Sequence, residues 1–337
     1  MGRQGGLSLV ELMISMVIGL ILMLGVMQIF LSTRQVYTNQ GAVSRIQETG
    51  RLAMEFLSRD IRMAGYTGCA TRTPDSTAST ISNAIGTSTV LNRIEVGIEG
   101  IDGNSTVPAD YGITRVNGTD VLVLRAAFNG GASLSVGNTA NTISMNSIST
   151  EVGVCAGSTD RVNGICAGDI VVVSDCSKAM VASVSSIASG VITTDQSLTA
   201  DSFASDAEVA AATTVTYYIG TNPAGRRSLY QRVGSNTPAE LLEGIDDMQL
   251  TYGRDTNGDG IPDTYQIAEQ VAAVTPATQG WPRVSSVRIQ LLTVSVENNV
   301  LAEPQPYTFN GDAVADPGDR RLRQVFVSTV GIRSRLP

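Results

Sequence analysis

Histidine is absent from the 337 residues, lysine occurs once, at Lys178, and tryptophan once, at Trp281. Without imidazole the chain cannot build Ser-His-Asp or Cys-His catalysis, nor a zinc site on nitrogen ligands. A lysine nucleophile has Lys178 as its one candidate, with no motif around it. No G-x-S-x-G elbow and no Gly-rich phosphate loop occurs, so the motifs of a hydrolase or a nucleotide enzyme are missing. The expectation is a protein that is not an enzyme. Positive charge is scarce as well: Lys and Arg total 23 against 31 Asp and Glu, a net charge of −8, and Arg226-Arg227 and Arg320-Arg321 are isolated pairs. A surface of that sign repels a phosphate backbone, so nucleic acid is not an expected partner.

Cysteine is sparse but even in number: Cys69, Cys155, Cys166 and Cys176, with no pair spaced CxxC. A zinc ribbon or thioredoxin-type motif is therefore unsupported. An even count beyond an apolar N-terminal segment fits an oxidising compartment and two disulfides. The alternative is a set of buried thiols. All connectivities stay open at this level. Cys155 and Cys166 are near neighbours that would close a short loop, which leaves Cys69 to Cys176. That second bridge would tie the chain after the N-terminal helix to a later strand, and its long loop would constrain the unfolded chain more.

What is abundant is apolar sequence at the start. Residues 5–13 read GGLSLVELM and open a run from Leu7 to Leu31, 25 residues whose one formal charge is Glu11. As a helix this run is long enough to cross a bilayer core of about 30 Å. A cleaved secretory signal has a shorter apolar region and a small-residue cleavage site; here LSTRQVYTNQ follows instead. Helical periodicity continues through Val36, Val43, Ile46, Ala53, Phe56, Leu57, Ile61 and Ala64, and no proline occurs before Pro74. The pattern predicts one helix from about Leu7 to about Ala64, apolar all round in its first half and amphipathic in its second. Arg51, Glu55 and Arg59 stand at i,i+4 spacings that favour ion pairs, and Gly65 suits a left-handed stop. Gly19, Gly25, Gly41 and Gly50 each weaken this helix by about 1 kcal/mol relative to alanine. A carboxylate within a membrane segment costs about 2.5–3.5 kcal/mol on insertion scales. Glu11 therefore either sits at the interface or has a dedicated cationic partner.

Gly6-Leu7-Ser8-Leu9-Val10-Glu11 resembles the processing signal of type IV pilins and type II secretion pseudopilins. The resemblance implies removal of residues 1–6 after Gly6 by a membrane prepilin peptidase and methylation of the new N-terminus at Leu7. It also implies pairing of Glu11 with the N-terminal amine of a neighbouring subunit. The family more often has phenylalanine where this chain has Leu7. Leu57-Ser58-Arg59-Asp60-Ile61-Arg62-Met63-Ala64-Gly65-Tyr66 resembles the end of the long helix in PilW-type minor pilins, and the stretch from Asp319 to Val330 their last strand. Residues 71–240 carry little that matches.

The rest of the chain reads as strands. Val121–Leu124, Asp169–Ser174, Met180–Ile187, Thr213–Ile219, Leu229–Val233, Met248–Tyr252, Val284–Val296 and Val325–Ile332 are rich in β-branched residues and bounded by turn formers. Ala239–Glu243 reads as a short helix, and the polar stretch from Thr71 to Asn117 as long surface loops. The fold class expected is α+β: a long N-terminal helix packed on a mainly antiparallel, β-rich head. Its divisions are a leader at 1–6, a transmembrane part at 7–31, an amphipathic part at 32–65 and a head at 66–337.

One stretch carries ligand chemistry. Asp255, Asn257, Asp259, Ile261 and Asp263 stand at positions one, three, five, seven and nine of D-x-N-G-D-G-x-x-D, with Gly260 at the sharp turn. This is the opening of a calcium loop, with Ile261 offering its carbonyl. Gln266 occupies the place of the EF-hand glutamate; a free-standing loop completed by Glu269 or water is the form expected. The alternative is a polar hairpin turn, since Asn-Gly and Asp-Gly are turn signals.

The function implied by the resemblance is a structural minor pilin that takes part in priming and assembling type IV pili, for twitching motility or adhesion. It would sit in the bacterial inner membrane with a periplasmic head and pass into the pilus. Partners would be other minor and major pilins and a PilY-type tip protein. Two alternatives stand beside it: a J-type pseudopilin of a type II secretion system, and a signal-anchored periplasmic binding protein.

Overall fold

The computed structural model describes residues 8–68, 70, 81–86, 89–127, 132–146, 150–152, 155, 160–198 and 203–335. Gly6, Leu7 and Cys69 lie outside them. Helix α1 runs from Leu9 to Met63, 55 residues, close to the span read from periodicity. Ser8 caps it, its Oγ accepting the Glu11 N–H. The helix ends where Gly65 turns to φ +71°, and the Gly65 N–H leaves the helical ladder to donate to the Arg125 carbonyl, 2.8 Å. A side chain is disfavoured at that φ, which is why glycine stands there.

The head holds two main sheets among the described residues, beside two two-stranded ribbons. The smaller has four strands in the order Thr264–Gln266, Ile245–Arg254, Val284–Val294, Arg323–Gly331, all antiparallel. The larger has eleven and is built around Glu208–Thr221. The first part of that strand pairs with Ile170–Ser174, and its later part with Val121–Ala126 and Arg227–Val233. Pairing is antiparallel except where Ile81–Asn83 runs parallel to Ala179–Ala188.

Two main cores follow from this division. The first joins α1 to the head: Ala53, Leu57, Ile61 and Ala64 pack with Leu122, Val215, Tyr217, Met248, Val287, Ile289 and Leu291. The second lies within residues 134–211, around Val171, Val173, Ile192 and Phe203, and contains no α1 residue. The long strand Glu208–Thr221 contributes to both, through Val209 to the second and Tyr217 to the first. At about 1.5–3 kcal/mol for each large apolar side chain buried, Leu57 and Ile61 alone hold the C-terminal half of α1 firmly on the head.

Four expectations need correction. Ala239–Glu243 is a strand paired with Arg227–Val233. Pairing along that edge overrides the helix propensity of Ala, Leu and Glu, and Glu240 and Glu243 serve the sheet edge, accepting from Ser228 and Asn222. The polar region 71–117 contains strands Ile81–Asn83 and Ile98–Ile101, with Ile94, Ile98 and Tyr111 buried. Val36 and Val43 are exposed, and the buried stripe of α1 instead begins at Ala42 and Ile46 and includes Gly50 and Asp60. The guanidinium of Arg59 lies on Asp60, 3.1 Å, the adjacent carboxylate, rather than on Glu55.

Candidate assembly surface

Helix α1 has two fates along its length. From Leu9 to Leu31 every large apolar side chain is exposed, the least so being Leu12 at 48%. Among the described residues α1 is the one helix long and apolar enough to cross a membrane. Twenty-three helical residues rise about 35 Å, which matches a hydrocarbon core of about 30 Å with some tilt. So much apolar surface is stable only in lipid or against other apolar helices. Glu11 sits in the first turn of this segment, exposed, and makes no ion pair among the described residues. Its carboxylate faces the positive end of the helix dipole, which favours it by a few tenths of a kcal/mol, well short of the insertion cost. Gly6 and Leu7, the expected processing site, are outside the described residues.

From Gln35 onward the head takes hold. The Gln35 amide donates to the Val300 carbonyl, and Arg45 pairs with Glu297 at 2.7 Å. That pair is exposed and contributes at most about 1 kcal/mol. Gly50 receives the Phe326 ring so closely that a Cβ there would lie inside it. Near the end of α1, Tyr217 donates its hydroxyl to Asp60 Oδ2 at 2.6 Å, and Gln231 donates to the Tyr217 oxygen at 2.7 Å. Asp60 is buried on the apolar face and sets the register of helix against sheet, because a buried carboxylate left without donors is costly. Burial and the neighbouring Asp60 carboxylate push the Tyr217 hydroxyl far above its ordinary range. Sequence reading missed this network. Its signal was present: a carboxylate one turn from Leu57 and beside Ile61 on the core-facing side.

At the far end of α1 the head is pinned by buried charge. Arg125 is fully buried and donates to the Val90 and Val96 carbonyls, each 3.0 Å, and to Glu99 at 2.9 Å. Asp102 accepts the first two main-chain N–H groups of the short helix Ala268–Ala272, and Glu269 is one of the two donors. Asp120 accepts from Gly103 and Leu250, each 2.7 Å. Burial raises its pKa to about 7 against those two donors, which lower it.

The acidic loop is closed on itself. Asp255, 1% exposed, accepts from the N–H groups of Asn257, Gly258 and Gly260. Asn257 accepts from Asp259, and Asp259 from Ile261. Asp263 accepts from the N–H and hydroxyl of Thr256, which hold its carboxyl below the usual range. Ile261 is exposed. Gly258 and Gly260 take φ +90° and +83°, the left-handed turns that the motif requires. Among the described residues no set of three or more His, Cys, Asp or Glu side chains is gathered to hold a metal ion; the loop's oxygens are turned to its own main-chain donors. Calcium here rests on spacing alone.

Cys155 and Cys166 are joined, with Cα atoms 5.7 Å apart, and close an eleven-residue separation. Cys176 is also disulfide-bonded. The pairing expected for it involves Cys69, which lies outside the described residues.

Two family models match the chain. The Type IV Pilus-assembly protein W family matches residues 216–334, and the prokaryotic N-terminal methylation motif matches residues 1–27. The first match covers the four-stranded sheet and the later part of the strand Glu208–Thr221; the second covers most of the apolar part of α1, with Glu11. No curated protein matches. A type IV-like pilin from Thermus thermophilus is similar at 15% identity, over 51% of this chain and 87% of that one, with a TM-score of 0.23, too low a score to carry an argument.

Proposed function

We propose, for a chain that is a type IV pilin-like minor pilin of the PilW type, that it primes and assembles type IV pili by contact rather than by catalysis. The observation that carries this is the division of α1: a segment from Leu9 to Leu31 with every large apolar side chain exposed, continuous with a helix gripped by the head from Ala42 to Ala64. Such a chain is a head on an apolar helical stem. The stem resides in the inner membrane with the head in the periplasm, then exchanges lipid for the stems of other minor and major pilins. Prepilin peptidase removes residues 1–6, and Glu11 meets the freed amine of a neighbouring stem. That contact supplies the cation which the insertion cost of a carboxylate demands. The head then presents its surfaces to neighbouring subunits and to a PilY-type tip protein, for twitching or adhesion.

Deletion of the chain in its own cells tests the proposal. Loss of surface pili and of twitching, restored by the wild-type chain, is expected. Normal piliation with loss of protein export would instead place the chain among secretion pseudopilins of the J type.

A further inference from the structure

The strand Arg323–Gly331 is the outer strand of the four-stranded sheet, paired among the described residues with Val284–Val294 alone. It is nine residues long, while every other edge strand among the described residues has five or fewer. Its register against Val284–Val294 runs without a bulge. From Gln324 to Gly331 it reads QVFVSTVG, with no charge and no proline. Proteins usually guard such an edge with lysine, proline, a bulge or a covering loop. Here the guard ends at Arg323.

That guard shows which groups face outward. The Gln305 side chain accepts from the Arg323 N–H at 2.8 Å and donates to the Arg323 carbonyl at 3.2 Å, just as a neighbouring strand's main chain would. Leu322 and Ile332 point the other way: the Leu322 carbonyl accepts from Ser295, and the Ile332 N–H donates to Ser285. Main-chain groups alternate along a strand, so Val325, Val327, Thr329 and Gly331 turn their N–H and C=O groups outward. The side chain of Val327 is 52% exposed, and that of Phe326 packs toward Gly50 of α1.

We propose that Val325–Gly331 is a strand-addition site that takes an extended segment of another polypeptide. The occupant is a strand of about five residues, uncharged along its paired stretch, with an apolar side chain beside Val327. Main-chain bonds supply the affinity and alternate side chains the choice of partner. The occupant is not this strand of a second copy in antiparallel pairing. Helix α1 and Arg323–Gly331 run the same way, since Arg45 meets Glu297 near the strand's start and Ser334 donates to the Ala64 carbonyl beyond its end. Antiparallel pairing of two such edges would point two α1 stems in opposite directions, which two chains anchored in one membrane do not do.

Amide hydrogen exchange on the full chain tests this, first purified in micelles, then in membranes of cells that contain its partner subunits. In micelles Val325, Val327 and Thr329 should exchange freely while Phe326, Ser328 and Val330 are slow; slow exchange at all six would mean a covered edge and overturn the proposal. In the native membrane the three outward amides should slow at least tenfold. Val327→Pro, which removes an outward N–H and no ladder bond, should abolish that protection at Val325 and Thr329 and leave thermal stability unchanged. Val327→Thr should keep it. Absence of protection, or its survival in Val327→Pro, would overturn the proposal, as would protection already present in a purified dimer. Piliation and secretion play no part in these readouts, so the result is separate from the function proposed above.

Discussion

Single residues decide how the stem meets the head, and few of them were legible in advance. Asp60 is a carboxylate on a buried helix face, fixed by Tyr217 and Gln231 from strands more than 150 positions away in sequence; periodicity places it on the core-facing side, but only the fold supplies those donors. Asp120 likewise has no local signature, since its donors come from Gly103 and Leu250. Its raised pKa, about 7, has a consequence for stability. The folded state holds the Asp120 proton more tightly than the unfolded chain does, so its contribution is greatest below about pH 4 and is lost as pH rises towards 7. The melting temperature of the full chain in micelles should therefore rise on acidification from pH 7.5 to 5.5. Asp120→Asn should flatten that slope, at a cost of about 1–3 kcal/mol for the acceptor lost. A slope unchanged in Asp120→Asn would assign it to other groups.

Elements were read more easily than residues. The helix emerged from a continuous apolar run, then 3.6-residue periodicity and the absence of proline, and the strands from β-branched runs such as Ile170–Ser174 and Val284–Val294. Ala239–Glu243 failed because its local propensity is overridden by pairing along the Arg227–Val233 edge. Ala42 and Gly50 failed because small residues carry little apolar signal, although here Gly50 lets the Phe326 ring approach the helix. Gly50→Ala tests that approach. Its methyl must displace the Phe326 ring, with an expected loss of about 1–3 kcal/mol, read as a lower melting temperature; Gly41→Ala, where nothing lies nearby, should be neutral or slightly stabilising. The acidic loop has its own test. A bound calcium ion predicts that a chelator lowers the melting temperature, and that Asp259→Asn with Asp263→Asn removes this sensitivity. A loop held by its own N–H donors predicts no change with chelator but a clear loss in Asp255→Ala.

On the scale of the whole molecule, the first half of α1 is a membrane-length apolar stem and its second half is fixed to a head with two main cores. The stem was plain in sequence because a continuous apolar run needs no tertiary information. The second core within residues 134–211 was not, because its strands are separated by stretches of Ser, Thr, Gly and Asn, and only the fold brings Leu134, Val171 and Phe203 together. The family match to residues 216–334 falls on the part of the head that contributes most to the helix-packed core. Assembly should depend on the stem. Glu11→Ala is expected to leave leader removal intact and head stability unchanged, yet to reduce recovery of the chain in sheared surface filaments at least tenfold; normal recovery would remove Glu11 from the assembly step. Most direct is the intact mass and N-terminal sequence of the protein extracted from its native membrane. A chain that begins at Leu7 and carries one added methyl group is expected. A chain that begins at Met1, or is cut beyond Leu31, would contradict pilin processing and leave α1 an ordinary anchor or signal.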